Sequence, residues 1–237
     1  MSNISYDYRL DDEGPHGIAV SSWLEKEKLA LLIIDVQNYI TMEKYGGVWT
    51  SGDRKAYYYH RCNGIVVPNL KRIIQYFRKN RVRVVYTRIA SLDKNLSDVP
   101  GISRKVLARE LFDVDGNMYH LRADEQASMI DERIGPRGED IVITKTASGT
   151  FCSSTIDLIL RNNGISRLII GGGLTDACVS SSAREAYDRG YLCTVVEDAC
   201  ITSSEEDHHA ALRSLSKFYT WVTTTNDLLR TIGTLWT

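Results

Sequence analysis

The chain has 237 residues, a hydrophobic fraction of 43%, a charged fraction of 25% and a formal net charge of −1. These values are typical of an ordinary globular protein. The length fits one domain, which we assign to residues 1–237 with a core over about 28–229. The small net charge gives no reason to expect nucleic acid or a membrane surface as a partner. The sequence has no apolar stretch of the roughly 18 residues that a membrane span requires, and its polar start over residues 1–14 does not resemble a signal peptide.

The five cysteines are scattered along the chain and form neither a CxxC pair nor the spacing of a disulfide scaffold. An odd set of this kind in a long chain predicts reduced thiols and a cytoplasmic protein. These residues are Cys62, Cys152, Cys178, Cys193 and Cys200.

Predicted strands and helices alternate along the chain. The apolar run over residues 28–36 is typical of a strand buried on both faces. After it, helices are predicted over 65–80, 153–163, 179–189, 204–217 and near 227–232, and strands over 81–88, 140–145, 166–172, 191–198 and near 221–224. This alternation predicts an α/β fold with a six-stranded parallel sheet, right-handed crossovers and helices on both faces.

Two segments break the alternation. Residues 41–62 are rich in tyrosine and glycine and fit no clean period. Residues 90–138 are long for a connection in a compact domain, and loops of such length usually carry function. Within the second segment we predict one helix near residues 123–134.

Polar side chains follow several predicted strands at the sheet edge where α/β proteins bind ligands. Asp35 ends the first strand, Arg88 the second and Lys145 the third, whereas Cys178 lies on the turn after the fourth. If the first, third and fourth strands are neighbours, the carboxylate, the ammonium and the thiol converge. Taken singly, each has an ordinary structural explanation, so the hypothesis of a site depends on their meeting.

Such a cluster suits acyl transfer to water. A helix N-terminus and the Lys145 ammonium would lower the pKa of Cys178 below the ordinary value of about 8.5 and favour the nucleophilic thiolate. Asp35 would accept the thiol proton and return it to a leaving amine. We expect a glycine turn over residues 171–173 to bring backbone close to the substrate and to aim N–H groups at a developing oxyanion.

Four stretches resemble the isochorismatase-like cysteine hydrolases, and the resemblance extends from about residue 28 to 229. They are "LLIIDVQN" (31–38), "VITKTASGTF" (142–151), "GGGLTDACVSSSAREAYDRGY" (171–191) and "VVEDAC" (195–200). The resemblance implies a catalytic triad of Asp35, Lys145 and Cys178, a non-proline cis peptide at Gly173–Leu174, and an oxyanion hole of the Leu174 and Cys178 N–H groups. It also implies a homodimer or homotetramer with partner residues near the pocket.

The resemblance also guides the expected substrate. Members that cleave a vinyl ether commonly lack the cysteine, so Cys178 favours C–N hydrolysis. Nicotinamidases carry a metal site of aspartate and histidines after the second strand, where this chain has "TRIASLDKN" (87–95) without histidine. We therefore expect no metal and no cofactor, and a small amide or ureide such as biuret, triuret or an N-carbamoyl acid. His208 and His209 lie in a predicted helix, where we expect them at the surface.

Five further residues are candidates for binding the substrate: Gln37, Tyr39, Arg88, Ser148 and Phe151. Gln37 is equally suited to holding the backbone of a neighbouring loop, and Arg88 to a structural salt bridge. We expect Cys152 to be a bystander.

Other functions stay open at this point. One is isochorismatase-type vinyl ether hydrolysis driven by Asp35, and another is a catalytically silent binding protein of the same fold. An activated thiolate is also oxidisable, so redox sensing by Cys178 is a third alternative.

Overall fold

The structure is a computed structural model that describes residues 14–45, 52, 54–102 and 111–236. Its strands are β1 (Leu29–Ile34), β2 (Arg83–Ile89), β3 (Leu111–Phe112), β4 (Met118–Tyr119), β5 (Ile141–Lys145), β6 (Arg167–Gly173), β7 (Leu192–Ile201) and β8 (Thr220–Thr223). Its α-helices are α1 (Val20–Trp23), α2 (Asn38–Thr41), α3 (Arg54–Arg61), α4 (Val67–Lys79), α5 (Ile156–Asn162), α6 (Ser180–Asp188), α7 (Glu205–Ser216) and α8 (Thr225–Leu235).

Six of the strands form one parallel sheet in the order β5-β2-β1-β6-β7-β8. The chain first builds outward from β1 through β2 to β5, and then returns to the other side of β1 with β6. The strand order therefore reverses between β1 and β6, which is the place where α/β sheets open a crevice for ligands. The predicted α/β architecture is confirmed.

The central strand β1 is apolar throughout because helices cover both faces of the sheet. Leu31 and Ile33 pack with α4 and α8, whereas Leu32 and Ile34 pack with α5, α6 and α7. Helix α4 contributes one apolar stripe of four residues, Leu70, Ile73, Ile74 and Phe77, all of them buried. Within the described ranges, none of the helices is long and apolar enough to cross a bilayer.

The position of β5 does not meet the condition that the first, third and fourth strands are neighbours. β6 lies beside β1, but β2 separates β1 from β5, so β5 is at the outer end of the sheet. Sheet order depends on contacts between distant parts of the chain, and a local apolar pattern does not encode it.

The helix expected near residues 123–134 is wrong, because this segment contains only a single 3₁₀ turn, Gln126–Ser128. Besides short turns of its own, the backbone of this segment bonds to the residues that follow β1. Met129 O accepts from Asn38 N at 2.9 Å, and Asp131 N donates to Val36 O at 2.9 Å.

The segment over residues 41–62 fits no clean period in sequence, but its second half is helical. α3 continues through a π-helical turn, Cys62–Val66, into α4, and it buries Tyr58 and Tyr59. Positions 46–51 and 53 of this segment lie outside the described residues, as do 103–110 of the second segment.

Candidate active site

Asp35 directly follows β1 at the reversal of strand order and is fully buried. Its φ of 52° lies in the left-handed region that few residues other than glycine adopt. The Asp35 N–H donates to Thr87 O at 3.1 Å, and the Thr87 hydroxyl donates to Asp35 Oδ1 at 2.9 Å. Strand β2 therefore holds both the backbone and the carboxylate of Asp35.

Lys145, the last residue of β5, reaches Asp35 from two strands away. Adjacent strands are about 4.8 Å apart, so the lysine side chain crosses the width of β2. Its Nζ lies 2.7 Å from Asp35 Oδ2 and donates to the carbonyl oxygens of Ala147 at 2.8 Å and Ser148 at 3.0 Å. One ion pair and two hydrogen bonds thus surround the ammonium group. The length of the lysine side chain thus produces a convergence that the sequence predicted only for neighbouring strands.

The pKa of Lys145 is set by opposing influences. Full burial disfavours the ammonium form, but the Asp35 carboxylate and the Cys178 sulfur together outweigh burial and raise the pKa above its usual range. Lys145 is therefore a permanent cation at neutral pH.

Cys178 lies in the π-helical turn Thr175–Val179 that leads into α6. We expected it directly before a helix, and the structure places it inside this turn instead. The turn closes with a bond from Val179 N–H to Leu174 O at 3.1 Å. Cys178 is half-buried, and the hydroxyl of the exposed residue Ser148 donates to its sulfur at 3.6 Å.

The Cys178 thiol is protonated at neutral pH, contrary to the expected thiolate. Burial and the Asp35 carboxylate raise its pKa to about 11, and the opposing effects of Lys145 and Ser148 are smaller. Desolvation of the sulfur, which the local sequence does not reveal, is the largest of these influences. Carboxylate, ammonium and thiol thus form one electrostatic cluster in which the thiol keeps its proton until a base removes it.

The three glycines before the turn are part of β6 and do not form the predicted glycine turn. Gly172 has φ of 122°, and a Cβ at this position would lie 2.0 Å from Ile34 O. This glycine therefore permits close packing of β6 on β1. The peptide bond Gly173–Leu174 is cis, as the resemblance implied.

Gln37 is fully buried and bound to backbone on three sides. Its Nε2 donates to Ile89 O at 3.1 Å and Ser128 O at 2.8 Å, and its Oε1 accepts from Ile89 N–H at 2.9 Å. These contacts correspond to the alternative in which Gln37 holds a neighbouring loop, and they leave little of its amide for a substrate.

The Arg88 guanidinium is likewise turned toward a loop. It donates to the Thr144 hydroxyl at 2.9 Å, to Ala123 O at 3.0 Å and to the sulfur of Met129 at 3.2 Å. The expected structural salt bridge is not among the described contacts of Arg88. Tyr39 is buried with 1% of its surface exposed and packs in the cluster around α4.

Ser148 and Phe151 belong to the loop that follows β5. Phe151 is buried in the same apolar cluster that contacts Cys178, and its ring lies 5.4 Å from that of Tyr191. Glu185 of α6 holds this loop by accepting from Phe151 N–H at 2.8 Å and Cys152 N–H at 3.3 Å. Of the five candidates, only Ser148 has a described hydrogen bond to Cys178.

Two buried residues in or near the site were not among the candidates predicted from the sequence. Thr87 lies within an apolar strand and did not stand out in the sequence. It pairs with Ile34, the residue before Asp35, so knowledge of the sheet order would have placed it beside Asp35. His208 is buried, with 1% of its surface exposed, and not at the surface as we expected. Within the described residues, no three His, Cys, Asp or Glu side chains are grouped so as to hold a metal ion.

Comparison with known proteins places this arrangement in a family. The family model of the isochorismatase domain matches residues 29–227. The chain belongs to the isochorismatase family. It is 30% identical over 195 residues to YwoC, an uncharacterized isochorismatase family protein of Bacillus subtilis, covering 80% of this chain and 86% of YwoC. The predicted family resemblance is thereby confirmed.

Two further relatives bear on fold and chemistry. Ureidoacrylate amidohydrolase RutB of Caulobacter segnis is 27% identical over 236 residues, covering 90% of this chain and 89% of RutB. The crystal structure of a cysteine hydrolase from Pseudomonas syringae superimposes with a TM-score of 0.74 at 20% identity, covering 90% of this chain and 96% of the other. The second similarity supports the fold alone.

Proposed function

We propose that this isochorismatase-family hydrolase is a cysteine-dependent amidohydrolase that cleaves a C–N bond of a small amide or ureide. The observation that carries the proposal is the buried Asp35–Lys145 ion pair, joined at 2.7 Å, beside the thiol of the half-buried Cys178. The similarity to ureidoacrylate amidohydrolases supports amide hydrolysis in general.

The first half of the proposed reaction forms an acyl-enzyme. Asp35 accepts the proton of the Cys178 thiol while the sulfur attacks the carbonyl carbon and forms a C–S bond. The carbonyl π electrons move to oxygen, where the N–H groups of Leu174 and Cys178 would stabilise the oxyanion. When the oxyanion collapses, the C–N bond breaks, and the leaving nitrogen takes the proton from Asp35 and departs as ammonia or amine.

The second half returns the enzyme to its starting state. Water attacks the thioester carbonyl and gives a proton to Asp35, and the C–S bond then breaks. The sulfur recovers the proton as the acid is released. Lys145 keeps its own proton throughout, because its three contacts and its raised pKa favour the charged form.

The raised thiol pKa suits a mechanism in which the base acts during the attack. A thiol with a pKa of about 11 is almost wholly protonated at pH 7, so the nucleophile forms only when a substrate is in place to receive it. This arrangement also limits oxidation, which requires thiolate character, and makes a redox-sensing role for Cys178 less favourable.

The proposal is tested by ammonia release from biuret, triuret, N-carbamoyl amino acids, ureidoacrylate, maleamate and nicotinamide. With the best substrate, Cys178→Ala should lower kcat at least about 1000-fold, and mass spectrometry of the parent should show an acyl adduct on Cys178. Cys152→Ala is the matched control, because Cys152 is an exposed thiol of the same neighbourhood, and it should stay within about twofold of the parent. Full turnover by Cys178→Ala would overturn the proposal.

A further inference from the structure

A chain of hydrogen bonds links helix α3 to the turn that carries Cys178. Arg61 Nη2 lies 2.9 Å from His208 Nε2, and His208 Nδ1 lies 2.9 Å from the Thr175 hydroxyl. That hydroxyl is also 3.0 Å from Ile201 O. Thr175 is the first residue of the π-helical turn and directly follows Leu174.

The direction of every proton in this chain follows from the groups at its ends. A guanidinium group can only donate, so His208 Nε2 must accept from Arg61. A carbonyl oxygen can only accept, so the Thr175 hydroxyl donates to Ile201 O and receives the Nδ1–H of His208. His208 is therefore neutral, with its proton on Nδ1.

We propose that neutral His208 is a positioning residue that holds Thr175, and through it the turn bearing the Leu174 and Cys178 N–H groups and the Cys178 thiol. The activity part of this inference rests on the proposed function, whereas the placement of the thiol does not. His208 touches neither the thiol nor the ion pair in the described contacts, so it acts through Thr175.

The surroundings of the imidazole fix its orientation. Arg61 is itself held by β7, since Nε donates to Cys200 O at 3.0 Å and Nη2 donates to Glu197 O at 2.9 Å. Burial and the Arg61 guanidinium lower the pKa of His208 to about 2, so the ring does not titrate under working conditions. The Nδ1–H donor thus stays available to Thr175 at every pH at which the protein operates.

Two substitutions at His208 separate its two hydrogen bonds. The amide nitrogen of asparagine lies near the position of Nδ1, so His208→Asn keeps a donor for Thr175 and gives up the contact with Arg61. The amide oxygen of glutamine lies near the position of Nε2, so His208→Gln keeps the acceptor for Arg61 and gives up the donor to Thr175.

The test measures kcat and KM for ammonia release, and separately the rate of Cys178 alkylation by iodoacetamide at fixed pH. His208→Gln should lower kcat and change the alkylation rate by about 10- to 100-fold, with KM within about threefold of the parent. His208→Asn should keep all three quantities within about threefold. The control is His209→Asn on the same helix, which should match the parent within about twofold.

A purely structural role would make the two variants equivalent, because each removes one buried hydrogen bond. Equal losses in His208→Asn and His208→Gln, or unchanged kcat and alkylation in His208→Gln, would therefore overturn the inference. If His208→Gln does not fold, Thr175→Val tests the same contact from the other side, with Thr175→Ser as the conservative rescue. Thr175→Val should then show the 10- to 100-fold effect, and an effect equal to that of Thr175→Ser would contradict it.

The alkylation arm distinguishes this inference from the proposed function. Iodoacetamide needs no substrate, so a difference between the two His208 variants would support positioning of the thiol even if no amide were hydrolysed. Hydrolysis that survives in Cys178→Ala would remove the proposed function, and the alkylation comparison would still decide the role of His208.

Discussion

Asp35 has two opposing roles toward Cys178. In the resting state its negative charge disfavours the thiolate, since it is one of the two main causes of the raised thiol pKa. During the proposed reaction the same carboxylate removes the thiol proton. A substitution that removes the charge of Asp35 should therefore make the Cys178 thiol more reactive toward an alkylating agent and make amide hydrolysis slower.

Asp35→Asn should lower the pKa of Cys178 and speed its alkylation by iodoacetamide at pH 8 several-fold, because the amide carries no charge beside the sulfur. The same variant should lose about 100- to 10,000-fold in amide hydrolysis, since it has no general base. Parallel alkylation and turnover assays provide the measurement.

The control for this prediction is Ser148→Ala. The Ser148 hydroxyl lowers the pKa of the thiol, so its removal should raise that pKa and slow alkylation. An Asp35→Asn variant that is alkylated more slowly than the parent would contradict the electrostatic assignment.

At the scale of elements, the close contact of β6 with β1 depends on one glycine. Gly172→Ala combines a φ of 122° with a Cβ 2.0 Å from Ile34 O, and we expect it to lower the free energy of unfolding by at least about 3 kcal/mol. Urea unfolding measures the change, provided that the slope of the unfolding free energy against urea concentration is the same in the parent and the variant.

Gly190→Ala is the matched control for backbone strain without a steric clash. Gly190 also has a positive φ, 83°, but a Cβ there would meet no atom within 4 Å. Its cost should be only about 1–2 kcal/mol. Equal costs for the two variants would show that the contact with Ile34 is unimportant.

The predicted elements show what a local pattern can establish. The continuous apolar run of β1 and the helical spacing of the apolar residues of α4 are both local patterns, and both predictions are confirmed. The helix near residues 123–134 failed because Asn38 and Val36 bind the backbone of that segment, and such partners are distant in sequence. The reach of Lys145 across β2 was equally hidden, since it follows from sheet order.

At the scale of the whole molecule, two predictions from the sequence were wrong because the burial of individual side chains was not known. The thiol pKa was expected to fall, but it rises because the site is desolvated, and burial of an individual residue does not follow from its neighbours in sequence. His208 is the second example, since it is buried whereas His209, the next residue of the same helix, is half-buried. The expected homo-oligomer and cytoplasmic location stay predictions.

Buried His208 should make the protein sensitive to acid. The unfolded chain takes up a proton at this position below the ordinary histidine pKa of about 6.5, whereas the folded protein does so only near its pKa of about 2. Stability contributed by the neutral ring is therefore complete above pH 6.5 and falls with pH below it, by at most about 1.4 kcal/mol per pH unit.

Urea unfolding of the parent and of His208→Asn between pH 6.5 and 4.5 checks this prediction. His208→Asn will differ from the parent in its free energy of unfolding at every pH. The comparison is therefore between the slopes of this free energy against pH. The parent should show the steeper decline, and identical slopes would contradict the assignment of a neutral buried imidazole.

The position of β5 couples the proposed catalysis to an edge of the sheet. Within the described sheet this strand pairs on one side only, yet it supplies the ammonium that neutralises Asp35. An outermost strand detaches at a lower free energy than a central one. Turnover should thus decline at urea concentrations that leave tryptophan fluorescence unchanged, so activity would be lost before the protein unfolds globally.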